Sequence, residues 1–366
     1  MTLRTAVVGG GVVSETHLDG IVACPQTALV AVCDIEEQRA RAMAADNDAA
    51  VYTDYERMLD EADVEWVHLC TPVQTHLELA LGAVERGIPV LIEKPITETV
   101  DEYERLASAA REYDVRVSAV HNHNLTPVMR ELTRRVERGD VGQVRAVDHI
   151  HTGDTPPDAV MRGEWAFELL GGEFEEGLPH PLYILLRAGG YPRDESAIQV
   201  QTSCHREYDR DFGYDTVQLQ YVSQDDVQCS ATLMGGGIPN KVVYVHGEEG
   251  TLVADIVSQT LVSLDRNYSG SSVGRALNNL DRAGDRVWGT VQNARAVAER
   301  AAFGEWPIQK ELNEHYYQFD EEASAILNDD PMPIPLTEAG WTMRLLESIR
   351  DAATEGTAVA TPTPED

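Results

Sequence analysis

Lysine is almost missing from this chain: of 29 basic residues in 366, only Lys94, Lys241 and Lys310 are lysines. Positive charge of any kind is scarce, because 62 acidic residues leave a formal net charge of −33. Such a chain repels phosphate, which excludes nucleic acid and anionic membranes as partners. The acids are spread along the whole length, and arginine stands where lysine is avoided. That pattern favours a protein of a high-salt cytoplasm over one that holds a basic partner. Cysteine is sparse too, at 24, 33, 70, 204 and 229, with no CxxC spacing. An odd set of unpaired thiols excludes a disulfide framework and reads as small apolar residues in a reducing compartment. No apolar run reaches the roughly 20 residues of a membrane span. The opening "MTLRTAVVGGGVV" has no charged region followed by a long apolar one, so a soluble cytoplasmic protein is expected.

What is present falls into two rhythms. Up to about residue 120, short apolar runs such as "TAVVGG", "ALVAVCD", "VEWVHLC", "IPVLIE" and "VRVSAV" alternate with segments of helical spacing. This predicts an α/β fold beginning with a doubly wound parallel sheet. From about residue 143, runs from "QVRAVDHIH" to "TLVSL" follow one another with period-2 alternation, which predicts a large open antiparallel sheet in an α+β domain. Residues 273–303 and two C-terminal segments read as helices. The expected division is 1–122 for a dinucleotide-binding domain, 123–352 for a substrate-binding and oligomerisation domain, and 353–366 for a flexible acidic tail.

"AVVGGGVVS" sets Gly9-x-Gly11-x-x-Ser14 between the first strand and first helix. The glycines allow a tight turn and a close approach of pyrophosphate to the backbone of Gly9, Gly11, Val12 and Val13 at a helix N-terminus. Asp34 ends the second strand, where an acid takes the ribose hydroxyls and repels a 2′-phosphate. NAD is therefore expected, with NADP possible because Arg39 and Arg41 lie nearby.

Strand ends at "CTPVQTH" and "IEKP" fall on the carboxyl edge of the predicted parallel sheet, where ligands of such sheets bind. This places Glu93 and Lys94 on the cofactor side, and gives the rare Lys94 a chemical reading beside the plain one of an ion pair.

The glycine turn, "TPVQTH", "EKP" and the later "GGEFEEGLPH", taken in order, resemble the glucose–fructose oxidoreductase / inositol dehydrogenase / MocA-like (Gfo/Idh/MocA) family of NAD(P)-dependent oxidoreductases. The resemblance covers nearly the whole chain and implies a Rossmann domain followed by an open-sheet domain, commonly in dimers or tetramers. It implies that Lys94 holds the reacting oxygen of the substrate and that His180 exchanges the proton, with Glu176 where the family has Asp. An acid common three residues after the histidine is replaced by Tyr183. Thr71, Pro72 and His76 are implied as cofactor contacts, Asn122 and Trp165 as substrate contacts, and the neighbours His121, His123 and Asn124 as further candidates at the domain junction. Glu173, Glu175 and Glu176 beside His180 read as solvated acids rather than a metal site, so no metal is expected.

The expectation is an NAD-dependent oxidoreductase of a secondary alcohol or ketone in a sugar, sugar acid or cyclic polyol. It would form a homodimer or homotetramer through the C-terminal sheet, whose uncovered face needs a partner. Two rivals stand beside it: a non-catalytic dinucleotide-binding sensor of the same fold, and an NADP-dependent reductase of a non-sugar carbonyl.

Overall fold

A computed structural model describes residues 2–45, 47–161, 164–265, 272–303 and 313–359. Strands β1 (Leu3–Val8), β2 (Thr27–Cys33), β3 (Ala50–Tyr52), β4 (Trp66–Leu69), β5 (Val90–Ile92) and β6 (Val117–Ala119) alternate with helices α1 (Ser14–Ala23), α2 (Glu37–Met43), α3 (Tyr55–Glu61), α4 (His76–Val84) and α5 (Val100–Glu112). Then follow α6 (Pro127–Glu137), β7 (Val144–Thr152), α7 (Gly172–Gly177), α8 (Pro179–Gly189), β8 (Gln199–Ser203), β9 (Thr216–Val222), β10 (Gln228–Met234), β11 (Asn240–Gly247), β12 (Gly250–Asp255) and β13 (Thr260–Asp265). Three helices close the chain: α9 (Ser272–Phe303), α10 (Glu314–Asn328) and α11 (Leu336–Val359). Two compact units result, one of residues 1–126 with 296–343, the other of 127–295 with 344–366.

In the first unit all ladders are parallel, in the order β3-β2-β1-β4-β5-β6. The order reverses between β1 and β4, which opens a crevice at their carboxyl ends. Both faces of the sheet are covered: Ala6 and Val8 of β1 point into one apolar cluster, and Val7 into another with Leu18 and Ile21 of α1. A third cluster joins Leu3, Trp66 and Leu91 to Phe319 and Ala323 of α10. This corrects the expected boundary, since 123–352 is not one body. The apolar patch of Leu3, Trp66 and Leu91 needs a cover, and α10 supplies it; truncating the fully buried Phe319 to Ala would cost about 3–5 kcal/mol. The sequence reading also lacked β3, a three-residue edge strand, and α3, whose start is marked by the Asp54 carboxylate accepting from the Arg57 amide at 3.0 Å.

The second unit carries a seven-stranded sheet in the order β13-β12-β11-β7-β10-β9-β8. Its ladders are antiparallel except for β7 with β10, which run parallel. The chain leaves β7 through α7 and α8 and returns to the sheet only at β8, and a crossover of that length permits a parallel neighbour. On β9, Val217, Leu219 and Tyr221 are buried while Gln218 and Gln220 are exposed, so one face packs and the other meets solvent. The expected tail beginning at 353 is corrected as well: α11 continues to Val359, and Ala353 is buried with its Cβ in the neighbourhood of Gly213.

Candidate functional site

The glycine turn closes β1 onto α1. Gly9 has φ +95, and a Cβ there would stand 2.7 Å from the Cys70 carbonyl oxygen, so only glycine fits. At Gly11 the nearest atom to such a Cβ lies 3.8 Å away, which leaves that side open to a ligand. No side chain caps α1 at Val13, and the first-turn amides of a helix without a cap are anion donors. Ser14 is buried and donates to the Gly11 carbonyl at 2.6 Å, which explains how a residue larger than glycine serves in this position. Asp34 accepts from the Gly10 amide at 2.7 Å with one oxygen and from the Glu36 amide at 2.8 Å with the other. Each oxygen keeps a second lone pair, sufficient for a ribose diol. Arg39 and Arg41 pair with Glu36 and Glu37, as expected of a solvated helix face. These residues fit a dinucleotide with an unphosphorylated ribose.

His76 has a different place from the one expected. It is buried, with Nδ1 3.0 Å from the Pro95 carbonyl and Nε2 2.8 Å from the Thr71 carbonyl. Both ring nitrogens are thus turned to backbone carbonyls, of the loop after β4 and the turn after β5, one of which accepts its single N–H, and none faces outward; burial holds its pKa below the ordinary imidazole value. Thr71 is half-buried, Pro72 is exposed, and Val12 is largely exposed.

Lys94 follows β5, is half-buried, and is joined to Pro95 by a cis peptide bond. Beneath it lies a polar network that the sequence did not reveal. Glu93 is buried; its carboxylate accepts from the Lys94 amide at 3.2 Å and meets His17 Nε2 at 2.9 Å. His17 Nδ1 in turn lies 2.8 Å from His68 Nδ1. Burial alone would raise the Glu93 pKa, but the bond and charge of His17 outweigh it and bring it down to about 2. The Nε2 of His68 is buried without a hydrogen-bond partner. Burial and the neighbouring His17 push His68 well below its ordinary pKa, keeping it neutral. The signal in the sequence was a histidine inside "VEWVHLC", a strand otherwise apolar on both faces.

Asn122 is buried, while His121 and Asn124 both bond the buried Glu338 carboxylate, at 2.7 and 2.9 Å. An acid from α11 thus holds both side chains.

In the second unit, "GGEFEEGLPH" forms α7 and the start of α8. Gly172 has φ +54, and a Cβ there would meet the Pro157 carbonyl at 2.1 Å, which fixes the glycine pair. Glu173 is buried and accepts from the Met161 amide at 2.9 Å. Glu175 is buried and bonds the Gly171 amide, the Tyr214 hydroxyl and Arg350. Neither is the solvated acid expected; each is a structural anchor. Glu176 is half-buried on α7, and His180 is half-buried near the start of α8. His180 Nδ1 lies 2.6 Å from the hydroxyl of the fully buried Tyr183, so the residue that departs from the family pattern takes up the imidazole directly. The side chain of Trp165 lies outside the described residues.

Three further polar residues share the sheet face under α8. His149 and His151 stand two apart on β7, and Lys241 pairs with His151 across the β7–β11 ladder. His149 Nδ1 meets the Pro181 carbonyl at 3.2 Å, next to His180, and burial lowers its pKa to about 4. Burial lowers the Lys241 pKa as well, against the pull of Asp154. The second rare lysine and a histidine-rich strand were the available signals. Among the described residues no group of three or more acidic, histidine or cysteine side chains is arranged to hold a metal ion.

Comparison with known proteins agrees with this geometry. Residues 3–121 match the model of an oxidoreductase family with an NAD-binding Rossmann fold, Gfo/Idh/MocA. An inositol 2-dehydrogenase of Saccharopolyspora erythraea is 32% identical over 176 residues, 47% of this chain and 52% of that protein. The chain thus spans about half the length of such curated relatives. Over the whole chain the fold is shared with an NAD-binding oxidoreductase from Klebsiella pneumoniae, at 18% identity, TM-score 0.76 and 97% of each chain covered. It is shared too with the WlbA dehydrogenase of Bordetella pertussis, whose structure holds NADH and UDP-GlcNAcA, at 19% identity, TM-score 0.72 and coverage of 100% and 99%. The NAD-binding Rossmann domain of this chain, residues 3–121, is thus similar to that of the Gfo/Idh/MocA oxidoreductase family.

Proposed function

We propose that this protein is an NAD-dependent oxidoreductase of a secondary alcohol or ketone in a sugar, sugar acid or cyclic polyol. The observation that carries the reading is Lys94, a rare lysine at the carboxyl edge of the parallel sheet, seated on an ionised and buried Glu93. NAD, when bound, supplies the hydride acceptor. Lys94 holds the reacting oxygen and stabilises its negative charge as the C–H bond breaks. His180 takes the hydroxyl proton on Nε2 and returns it in reduction, with Nδ1 held 2.6 Å from the Tyr183 oxygen. Glu176 positions a neighbouring substrate hydroxyl, with Asn122 and Trp165 as further contacts, and Lys241 and His151 offer two more polar groups for a polyhydroxylated substrate. The relative's name, inositol 2-dehydrogenase, and the sugar nucleotide held by the WlbA structure support this class.

Asp34 supports NAD over NADP. The exposed glutamine face of the second sheet, Gln199, Gln201, Gln218, Gln220 and Gln228, supports pairing of subunits through that face. The net charge of −33 supports action in a high-salt cytoplasm. The test is NADH formation in molar KCl across aldoses, sugar acids and inositols, with wild type and Lys94→Met run together. Turnover of one class, abolished in the variant, bears the proposal out. Tight NAD binding by both proteins with no turnover of any substrate would replace it with the sensor reading.

A further inference from the structure

Helix α9 has one face on the sheet and one that faces solvent with an apolar stripe. The docked face carries Asp285, which accepts from the Ser263 amide at 3.0 Å, and Asn293, which donates to the Ser258 carbonyl. Gly289 lies between them, where a Cβ would come within 2.5 Å of Thr260. On the opposite side Val273, Leu277, Leu280, Val287 and Val291 are each more than half exposed, and Trp288 flanks them, also more than half exposed. Together with Gly284, Ala294 and Ala298 these positions recur at alternating spacings of four and three. That is the 3.5-residue period of a helix that pairs with another helix, not the broader 3.6-residue face of one lying on its own core. From Val273 to Ala298 the seam runs about 38 Å at 1.5 Å per residue.

We infer that this stripe is the seam of an antiparallel helix pair with α9 of a second copy of the chain. The sequence of the seam is complementary to itself when reversed. Antiparallel alignment about the midpoint sets Leu277 against the partner's Ala294, Leu280 against the partner's Val291, and Gly284 against the partner's Val287. Large residues meet small ones at each layer, as packed interiors require. A parallel pair would instead stack Gly284 on itself and leave a gap. Charge points the same way. Residues 272–303 hold five arginines and three acids within a chain of net charge −33, so two copies repel less here than over their acidic surfaces. The net negative charge also disfavours an anionic bilayer as the occupant of the stripe.

The test uses the full chain in molar KCl with Cys204, the exposed cysteine among the described residues, replaced by Ser. Leu280→Cys and Val291→Cys variants are oxidised separately and as a mixture. A disulfide-linked dimer only in the mixture is the expected result. Dimers of each variant alone would mean a parallel pair and overturn the inference, as would no linkage in any sample. In a second arm, sedimentation of Leu280→Glu is expected to give a lower mass than wild type with the same far-UV spectrum and melting temperature; an unchanged mass overturns the inference. Flotation of wild type, but not Leu280→Glu, with phosphatidylcholine/phosphatidylglycerol vesicles would assign the stripe to lipid and overturn it too.

Discussion

The two corners proposed for chemistry are supported by opposite means. Lys94 follows a carboxylate that is buried and paired with a buried imidazole, itself backed by a second one. His180 rests on a buried phenol. A buried charge stripped of its partner is costly, whereas a lost neutral hydrogen bond costs little. The first corner therefore couples chemistry to folding, and the second separates them.

The largest expected effect is on Lys94 itself. Lys94→Met should lower kcat by about 10²- to 10³-fold, the loss typical of one oxyanion donor, while the NAD Kd measured by fluorescence titration stays within a few-fold. An equal loss of NAD affinity would make Lys94 a cofactor ligand and erase its place in the comparison. His17→Phe should destabilise by about 3–5 kcal/mol, because it leaves Glu93 buried without its cationic or donor partner. Chemical denaturation in molar KCl reads this directly, and a change under about 1 kcal/mol would mean that water or Lys94 replaces the imidazole.

The contrast extends to pH. Glu322, fully buried in the first unit with bonds from Ser118 and Gln318, is pushed by burial from 4.5 up to about 8. The folded state then holds the proton more tightly than the unfolded one, so this group's stabilising contribution is full below about 4.5 and is lost as pH rises to about 8. His149 in the second unit has the reverse sign. Its pKa is lowered from 6.5 to about 4, so the unfolded state binds the proton first and stability falls as pH drops through that window. Glu322→Gln should flatten the alkaline limb of the melting temperature against pH, a change worth at most roughly 5 kcal/mol, and leave the acid limb intact. A variant that keeps the alkaline limb would show another group to be responsible.

The smallest effect is expected at Tyr183→Phe. It removes one neutral bond to His180, so turnover should fall about 10-fold with a displaced pH–rate profile and an unchanged melting temperature. Loss of stability without a displaced profile would reduce Tyr183 to a packing residue and make the two corners alike.

Much of the architecture was legible because burial writes a period into the chain. Continuous apolar runs marked the strands of the parallel sheet, alternation marked β7 to β13, and "AVVGGGVVS" with Asp34 marked the dinucleotide turn, where backbone geometry allows few residue types. Short elements such as β3 and α3 escaped for the same reason: three to seven residues hold too little of any period. Site residues were harder. His76, His121, Asn124, Glu173 and Glu175 are held by backbone or buried partners that no local pattern names.

What the sequence determined by itself were the strands, most helices, the glycine turn and the charge, all of them local or additive properties. Tertiary structure alone decided that α10 covers the first sheet, that β7 and β10 run parallel, and that Glu93 is locked by His17 and His68. Each of these joins residues far apart in the chain or depends on which side of an element is covered. Hydrogen bonding and close packing act through space, so only the folded chain selects the partner.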